Sequence, residues 1–426
     1  MNTALFLLLL LLLLHGTLVA GHVRLVERDA LWSLYGLTNG LTWRVNDGWN
    51  ISTDPCRKTA APVPHRPQSS APVTFTDRTY RAALWHGVGC LDPCDDYLDG
   101  PSCTAGRISS IMLRNNSLHG DIAEWVGVGE LRNLTVLDLS YNSLSGTLPT
   151  EFALIRNLDI LQLRDNALSG DLPTELAAIN SASAGSGELK EISLANNNLR
   201  GHLLPSLAPY AGTLRMLDLS YNSISGTLPE TYASLPELQA LFLRQNRLSG
   251  TLPAELGGGG GLAAMRFLGM QGNSFSGTLP PAMGGMTHLH SFELNGNLFS
   301  GSLPSTLGFY SPLTYLHIND NFFSGALPSE LGQLTALETI DTYNNLFVGD
   351  MPSELGQLVN LRLLYLPSEQ LLPLRLRYCQ QRLPSVGKYS YRIVREQYFQ
   401  MISAICPQPY TTLTAFGTLT QMSGDV

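Results

Sequence analysis

The sequence predicts an α/β solenoid: a superhelix of stacked coils with a parallel β-sheet on its concave side and closed caps at both ends. Three observations predict it. The stretch LDLSYNSLSGTLP at Leu137–Pro149 returns as LDLSYNSISGTLP at Leu217–Pro229. The pattern L-x-x-N-x-L-x-G recurs with its asparagine at Asn116, Asn142, Asn166, Asn197, Asn222, Asn246, Asn273, Asn297, Asn321 and Asn345, on a basic step of 24 residues. Self-similarity at such a period marks units that bury their apolar face only against their neighbours. Finally, the six cysteines, Cys56, Cys90, Cys94, Cys103, Cys379 and Cys406, all lie outside the repeats, toward the ends, where a terminal coil has no neighbour to cover it.

Residues 1–21 read as a secretory signal, since an apolar run from Ala4 to Leu14 precedes small residues suited to cleavage near Ala20 or Gly21. That run is shorter than the ~20 apolar residues a membrane-spanning helix needs. No second stretch reaches that length, so no span is expected in the mature chain. Residues 22–106 form an amino-terminal cap with a proline-rich insertion at 57–81. Residues 107–373 hold about eleven repeats, the longer steps containing the insertions Ser181–Gly187 and Gly257–Gly261. The last unit, Leu361–Pro373, keeps its leucines but has Glu369 where the asparagine belongs, as a terminal unit should. Residues 374–426 are a carboxyl-terminal cap and tail with six basic and two acidic residues; Ile393, Val394, Tyr398, Ile402 and Ile405 recur at helical spacing and predict a capping helix, with a basic patch for acidic cell-surface glycans as the second reading.

Within a repeat each position has a physical task. Leu137 and Leu139 alternate as on a short strand and face the core together, and Leu144 and Leu148 turn in from the coil that follows. Each buried leucine contributes roughly 1.5–3 kcal/mol once the next coil covers it. The asparagine stands where the chain leaves the strand, and its amide both donates and accepts, as turn-facing backbone groups require. Gly146 and Pro149 set the backbone for the convex return. After the asparagine, the inward residue changes from Leu144, Leu168, Leu199, Ile224 and Leu248 to Phe275, Phe299, Phe323 and Phe347, a stacked core spine.

The pattern L-x-x-L-x-L-x-x-N-x-L-S-G-x-L-P resembles the extracellular, plant-type leucine-rich repeat over about residues 107–373. The segment DALWSLYGLTNGLTWRVNDGWN, continued through Asp54, Pro55 and Cys56 to WHGVGC at Trp85–Cys90, resembles the amino-terminal cap of that family. Members include receptor-like protein ectodomains, polygalacturonase inhibitors and protist surface antigens. This chain writes G-T-L-P or G-S-L-P where land-plant members favour G-x-I-P, which suits an algal or protist surface protein as well as a plant one. The resemblance implies a right-handed superhelix with short 3-10 or helical convex segments and disulfide-stapled caps. For the four amino-terminal cysteines three connectivities exist on sequence alone. The resemblance favours Cys56 with Cys90, which leaves Cys94 with Cys103 and Cys379 with Cys406.

Catalytic signatures are absent. The glycine run at Gly257–Gly261 lacks the lysine and hydroxyl of a phosphate loop, and no G-x-S-x-G, H-E-x-x-H or kinase signature occurs. Cys90-x-x-x-Cys94 has no second paired motif for zinc, and His288-x-His290 has no third ligand and reads as a solvated loop. No enzyme activity, cofactor or metal is expected, nor a nucleic-acid partner for a chain of formal net charge −8.

The site is therefore expected to be a surface. Residues between the buried strand leucines face the concave side and form columns with ~4.8 Å between coils. Phe242 with Phe267, flanked by Arg244 and Gln271, and then Tyr315, His317 and Tyr343 beside Glu293 and Asp341, make an aromatic-plus-charged patch of the kind interfaces favour. Glycosylation sequons stand at Asn50, Asn115 and Asn133; a glycan on Asn115, in the first coil, would direct binding to later coils. The expected function is recognition of a protein or peptide ligand on the concave face, by a secreted or cell-surface protein, with a membrane co-receptor as a further partner. Its rivals are a structural or adhesive wall component and an inhibitor of a secreted polysaccharide hydrolase.

Overall fold

A computed structural model describes residues 25–44, 80–82, 88–91, 107–179, 189–205, 207–366 and 391–394. The concave side is a sheet of fourteen strands. In chain order these are β1 Tyr80–Ala82, β2 Val88–Leu91, β3 Arg107–Met112, β4 Val136–Asp138, β5 Ile160–Gln162, β6 Glu191–Ser193 and β7 Met216–Asp218. They continue with β8 Ala240–Phe242, β9 Phe267–Gly269, β10 Ser291–Glu293, β11 Tyr315–His317, β12 Thr339–Asp341, β13 Leu363–Leu366 and β14 Tyr391–Val394. The eleven strands β3 to β13 run parallel, one per repeat, with every strand leucine opposite the next: Leu217 pairs with Leu241, and Leu241 with Leu268. This register follows from the repeat itself, because a one-residue slip would carry the whole leucine row out to solvent.

Each of the strands β3 to β12 leads through a turn into a second, lateral strand and then a convex 3-10 turn. In the repeat at Leu137–Pro149, Gly146 has φ 86°, and Pro149, at φ −60°, opens the 3-10 helix Thr150–Leu154. A proline in extended conformation opens the 3-10 turns at Thr174, Glu230, Pro281, Ser305, Ser329 and Ser353 in the same way. Inside, the leucines form one continuous core. The expected aromatic spine is present: Phe275, Phe299, Phe323 and Phe347 are fully buried, with successive ring centroids 6.1, 6.0 and 6.2 Å apart and planes within 13° of parallel.

The asparagines form the expected ladder, in which Asn246 bridges two adjacent coils. Asn246 Nδ2 donates to Leu243 O and Arg244 O of its own coil and to Leu219 O of the coil before, while its Oδ1 accepts from the N–H of Ile224 at 3.0 Å. Asn142, Asn166, Asn222, Asn321 and Asn345 repeat these bonds in their own coils. Stacking would otherwise bury those carbonyls and amides unpaired.

At the amino end, helix α1 (Leu25–Leu37) buries Leu31 and Leu34 against the first coil, and the Trp125 indole donates to Ala30 O at 2.9 Å. β2 then pairs antiparallel with β3 and covers the open edge of the sheet. β14 does the same at the carboxyl end, pairing antiparallel with β13. This corrects the expectation of a capping helix at Ile393 and Val394: both residues lie on a strand, because the last parallel strand presents unpaired backbone groups that a strand satisfies and a helix does not. Tyr398, Ile402 and Ile405 lie outside the described residues, as do the signal segment, the sequon at Asn50 and Cys56, Cys94, Cys103, Cys379 and Cys406. Cys90 is described only as backbone of β2, so the disulfide pairings fall outside the described structure.

Candidate functional site

Because the inward leucines alternate with outward residues, every strand offers the concave side a residue before, between and after its leucines. The nine residues singled out for ligand binding all stand on this face, on β8 to β12 or directly after them. Phe242 and Phe267 meet with ring centroids 6.5 Å apart; Phe242 is half-buried and Phe267 exposed. Gly269 lies between Phe242 and Glu293 in the same register row. A Cβ there would come 3.1 Å from Phe242 Cδ1 and 3.2 Å from Gln271 Oε1, so the glycine lets both side chains lie flat across the sheet. Tyr315, also exposed, meets the His317 ring edge-on at 6.2 Å.

The guanidinium of Arg244 is gripped by two rings, 5.3 Å from the Tyr221 centroid and 5.9 Å from that of Phe242. Such stacking holds the planar fork in one orientation. No carboxylate lies within ion-pair distance of it among the described residues. Its Nε and the neighbouring Gln271 Oε1 are buried atoms without a hydrogen-bond partner in the described structure. Gln271 Nε2 donates to Glu293 Oε2 at 2.7 Å, and Ser291 Oγ donates to Glu293 Oε1 at 2.7 Å. Burial lowers the His317 imidazole below its usual range, an effect that Glu293 partly offsets. Burial likewise pushes the Asp341 carboxyl up to about 6, with the Tyr343 N–H opposing and Asp320 adding to the rise.

Three residues of this surface escaped the sequence reading. Tyr141 and Tyr221 occupy the position just before the ladder asparagine, which takes positive φ in coil after coil: 57° at Tyr141, 54° at Tyr221, 53° at Gln245. That left-handed step swings the side chain onto the concave rim, where Tyr141 receives Arg114 at 4.5 Å and Arg164 at 5.2 Å. The signal was available, since Gly272 and Gly296 fill the same position in two coils. The third is His290, in the loop before β10, whose ring lies 6.2 Å from Phe267 with Nδ1 2.7 Å from His288 O, so it edges the aromatic patch. Asn115 is exposed on the rim with φ 52°, and Asn133 is half-buried. Among the described residues no cluster of histidine, cysteine or acidic side chains could hold a metal ion, and no helix is long and apolar enough to cross a membrane.

Comparison with known families matches the leucine-rich-repeat model at residues 107–168 and 187–248, and a second model of the same description at 312–334. Receptor-like protein 39 of Arabidopsis thaliana is 28% identical over 146 residues, 34% of this chain and 13% of that relative. The chain carries leucine-rich repeats and is similar, over part of its length, to plant receptor-like proteins. Among solved structures, this leucine-rich-repeat chain resembles the crystal structure of a TDR receptor, with TM-score 0.52 and 30% identity over 55% of this chain and 39% of that one. It shares its fold with a plant ice-binding protein at TM-score 0.50 and 23% identity, over 76% of this chain and 95% of that one. The matched repeats thus cover a minor part of the receptor-like relatives.

Proposed function

We propose that this leucine-rich-repeat protein acts outside the cell or at its surface by recognising a protein or peptide on the concave side of β8 to β12. The observation that carries this reading is the grouping, on one stretch of sheet, of partly exposed aromatic rings with an arginine that has no carboxylate partner among the described residues. Folding has no use for it: the leucine rows, the phenylalanine spine and the asparagine ladder are complete without any of these residues. Aromatic and arginine side chains already held in position lose little conformational freedom on binding, which is why they dominate interface energetics. The similarity to a receptor-like protein and to a TDR receptor supports the same reading.

The test is affinity capture from the native extracellular fluid with the parent chain and with Phe242→Ala, Arg244→Ala and Tyr343→Ala. A partner held at defined stoichiometry by the parent and released by the variants is the expected result. Equal retention by all three variants moves the site off this face. Extraction only by wall-disrupting agents would instead favour a structural component, and loss of hydrolase activity on mixing with wall-degrading enzymes would favour an inhibitor.

A further inference from the structure

Beyond the Phe242–Phe267 pair, the sheet gathers a different chemistry around one point. Glu293, His317 and Asp341 end β10, β11 and β12 at matched register positions, so they form a row with ~4.8 Å between neighbours. The exposed Tyr315 ring flanks the row beside His317. Glu293 accepts its hydrogen bonds from neutral groups, Gln271 and Ser291, and Asp341 accepts from the Tyr343 N–H at 3.4 Å. Neither carboxylate has a cation within ion-pair distance among the described residues. Elsewhere some half-buried carboxylates have a cation, Asp165 beside Arg164, Asp159 beside Lys190 and Glu338 beside Arg362, while Asp138 and Asp218, at the same strand position on β4 and β7, accept from Ser140 and Ser220 and have no cation within ion-pair distance among the described residues. Asp320, just past β11, adds more negative charge, and Tyr343 and Tyr365 bring none of the opposite sign. The next cationic register position is Arg392, opposite Tyr365 and two strands beyond Asp341. Negative charge that is partly desolvated and uncompensated is unfavourable until a counter-charge arrives.

We propose that this row is a subsite for a cationic side chain of the bound protein or peptide, a lysine ammonium or an arginine guanidinium, seated over His317 between Glu293 and Asp341 and against Tyr315. The inference rests on the concave-face reading above and specifies what that face selects. Two carboxylates supply charge-assisted hydrogen bonds, and the tyrosine and imidazole faces supply the cation–π contact. With its imidazole pushed below the usual range by burial, His317 is neutral at pH 7.5 and does not repel the guest. Acidification reverses the balance, because Asp341 loses its charge around pH 6. Affinity for the cation is therefore highest above pH 7 and falls as the solution is brought to pH 5.

The probes are N-acetyl-arginine amide and its neutral isostere N-acetyl-citrulline amide, added to the full chain labelled at its histidine rings. The His317 resonance is assigned by its loss in His317→Gln. At pH 7.5 the arginine probe should shift that resonance saturably while the citrulline probe leaves it in place. Glu293→Gln and Asp341→Asn should each weaken the response by on the order of tenfold, as should lowering the parent to pH 5. An equal response to both probes, or none to arginine, overturns the subsite. So does an arginine response that survives both conservative variants. Those outcomes leave the wider reading standing, because Phe242→Ala and Arg244→Ala lie outside the row and test it separately.

Discussion

The two halves of the concave sheet are built from the same repeat and hold their arginines in different ways. On β4 to β7, polar groups find partners within the molecule: Arg164 Nε donates to Asp165 Oδ2 at 2.8 Å, Lys190 Nζ to Asp159 Oδ2 at 3.2 Å, and Arg114 and Arg164 both lie on the Tyr141 ring. On β8 to β12, Arg244 stacks on two rings without a carboxylate, and Glu293 and Asp341 have no cation among the described residues. The backbone register does not differ, nor does the asparagine ladder. What differs is the arginines: Arg164 is paired with Asp165, whereas Arg244 has no carboxylate among the described residues, and both halves hold carboxylates without a cation, Asp138 and Asp218 as well as Glu293 and Asp341. An arginine without a carboxylate beside the Phe242–Phe267 pair marks β8 to β12, the open half, against β4 to β7, the closed half.

The core beneath the two halves offers the largest test. Phe299 lies between Phe275 and Phe323 under the open half, whereas Leu168 holds the same position under the closed half. Phe299→Ala should cost about 3–5 kcal/mol and loosen the surface above it, while Leu168→Ala costs about 2–5 kcal/mol and leaves capture of a partner intact. Denaturant unfolding together with capture checks both. If Leu168→Ala also abolishes capture, the halves are not functionally separate.

Next in size is the arginine pair. Arg244→Ala should lose about 2 kcal/mol or more of binding with little change in stability, and Arg164→Ala should leave affinity unchanged. Comparable affinity losses for the two arginines would erase the distinction between them. A ladder residue acts differently again: Asn246→Ala removes bonds to Leu219, Leu243 and Arg244 and orphans the Ile224 N–H, at a cost of about 1–3 kcal/mol in folding. Its thermal midpoint should fall well below that of Arg244→Ala, although the two residues are neighbours but one.

How far sequence carried these assignments depends on the range of the cause. The leucine rows, the ladder and the spine repeat with the coil, so their burial is written into the period. The concave columns follow from strand alternation and were equally legible. The stacking of Tyr221 on Arg244 was not, because it depends on a left-handed step at a non-glycine residue, held in place by backbone bonds such as that from Tyr221 N to Arg244 O at 2.8 Å. Nor was β14: Ile393 and Val394 suit a helix by spacing, and only the open edge of β13 makes them a strand. Periodicity records what a coil needs from its neighbour and carries no trace of what an edge needs from a distant segment.

The smallest expected effect carries a sign, and the sign separates the halves most sharply. In the closed half, burial pushes Asp165 up, but hydrogen bonds from Asn196 and Arg164 and the Arg164 charge outweigh it and hold the carboxyl below its usual range. Asp165 therefore contributes stability above the ordinary carboxylate range, and this is lost as pH falls through its depressed folded value. In the open half, burial dominates at Asp341 and its folded value rises to about 6, so the native state holds a proton more tightly than the unfolded chain does. Its contribution is present at low pH and is lost as pH rises through about 6. Asp341→Asn should therefore stabilise the protein by about 1 kcal/mol at pH 7.5, after allowance for solvent screening, and have no effect near pH 4. Asp165→Asn should destabilise it by about 0.5 kcal/mol or less at pH 7.5, since that pair is open to water. Unfolding midpoints of both variants against the parent, taken from pH 4 to 7.5, decide the matter. Two changes of the same sign at neutral pH would mean that Asp341 has found a cation within the chain and that the open half is closed after all.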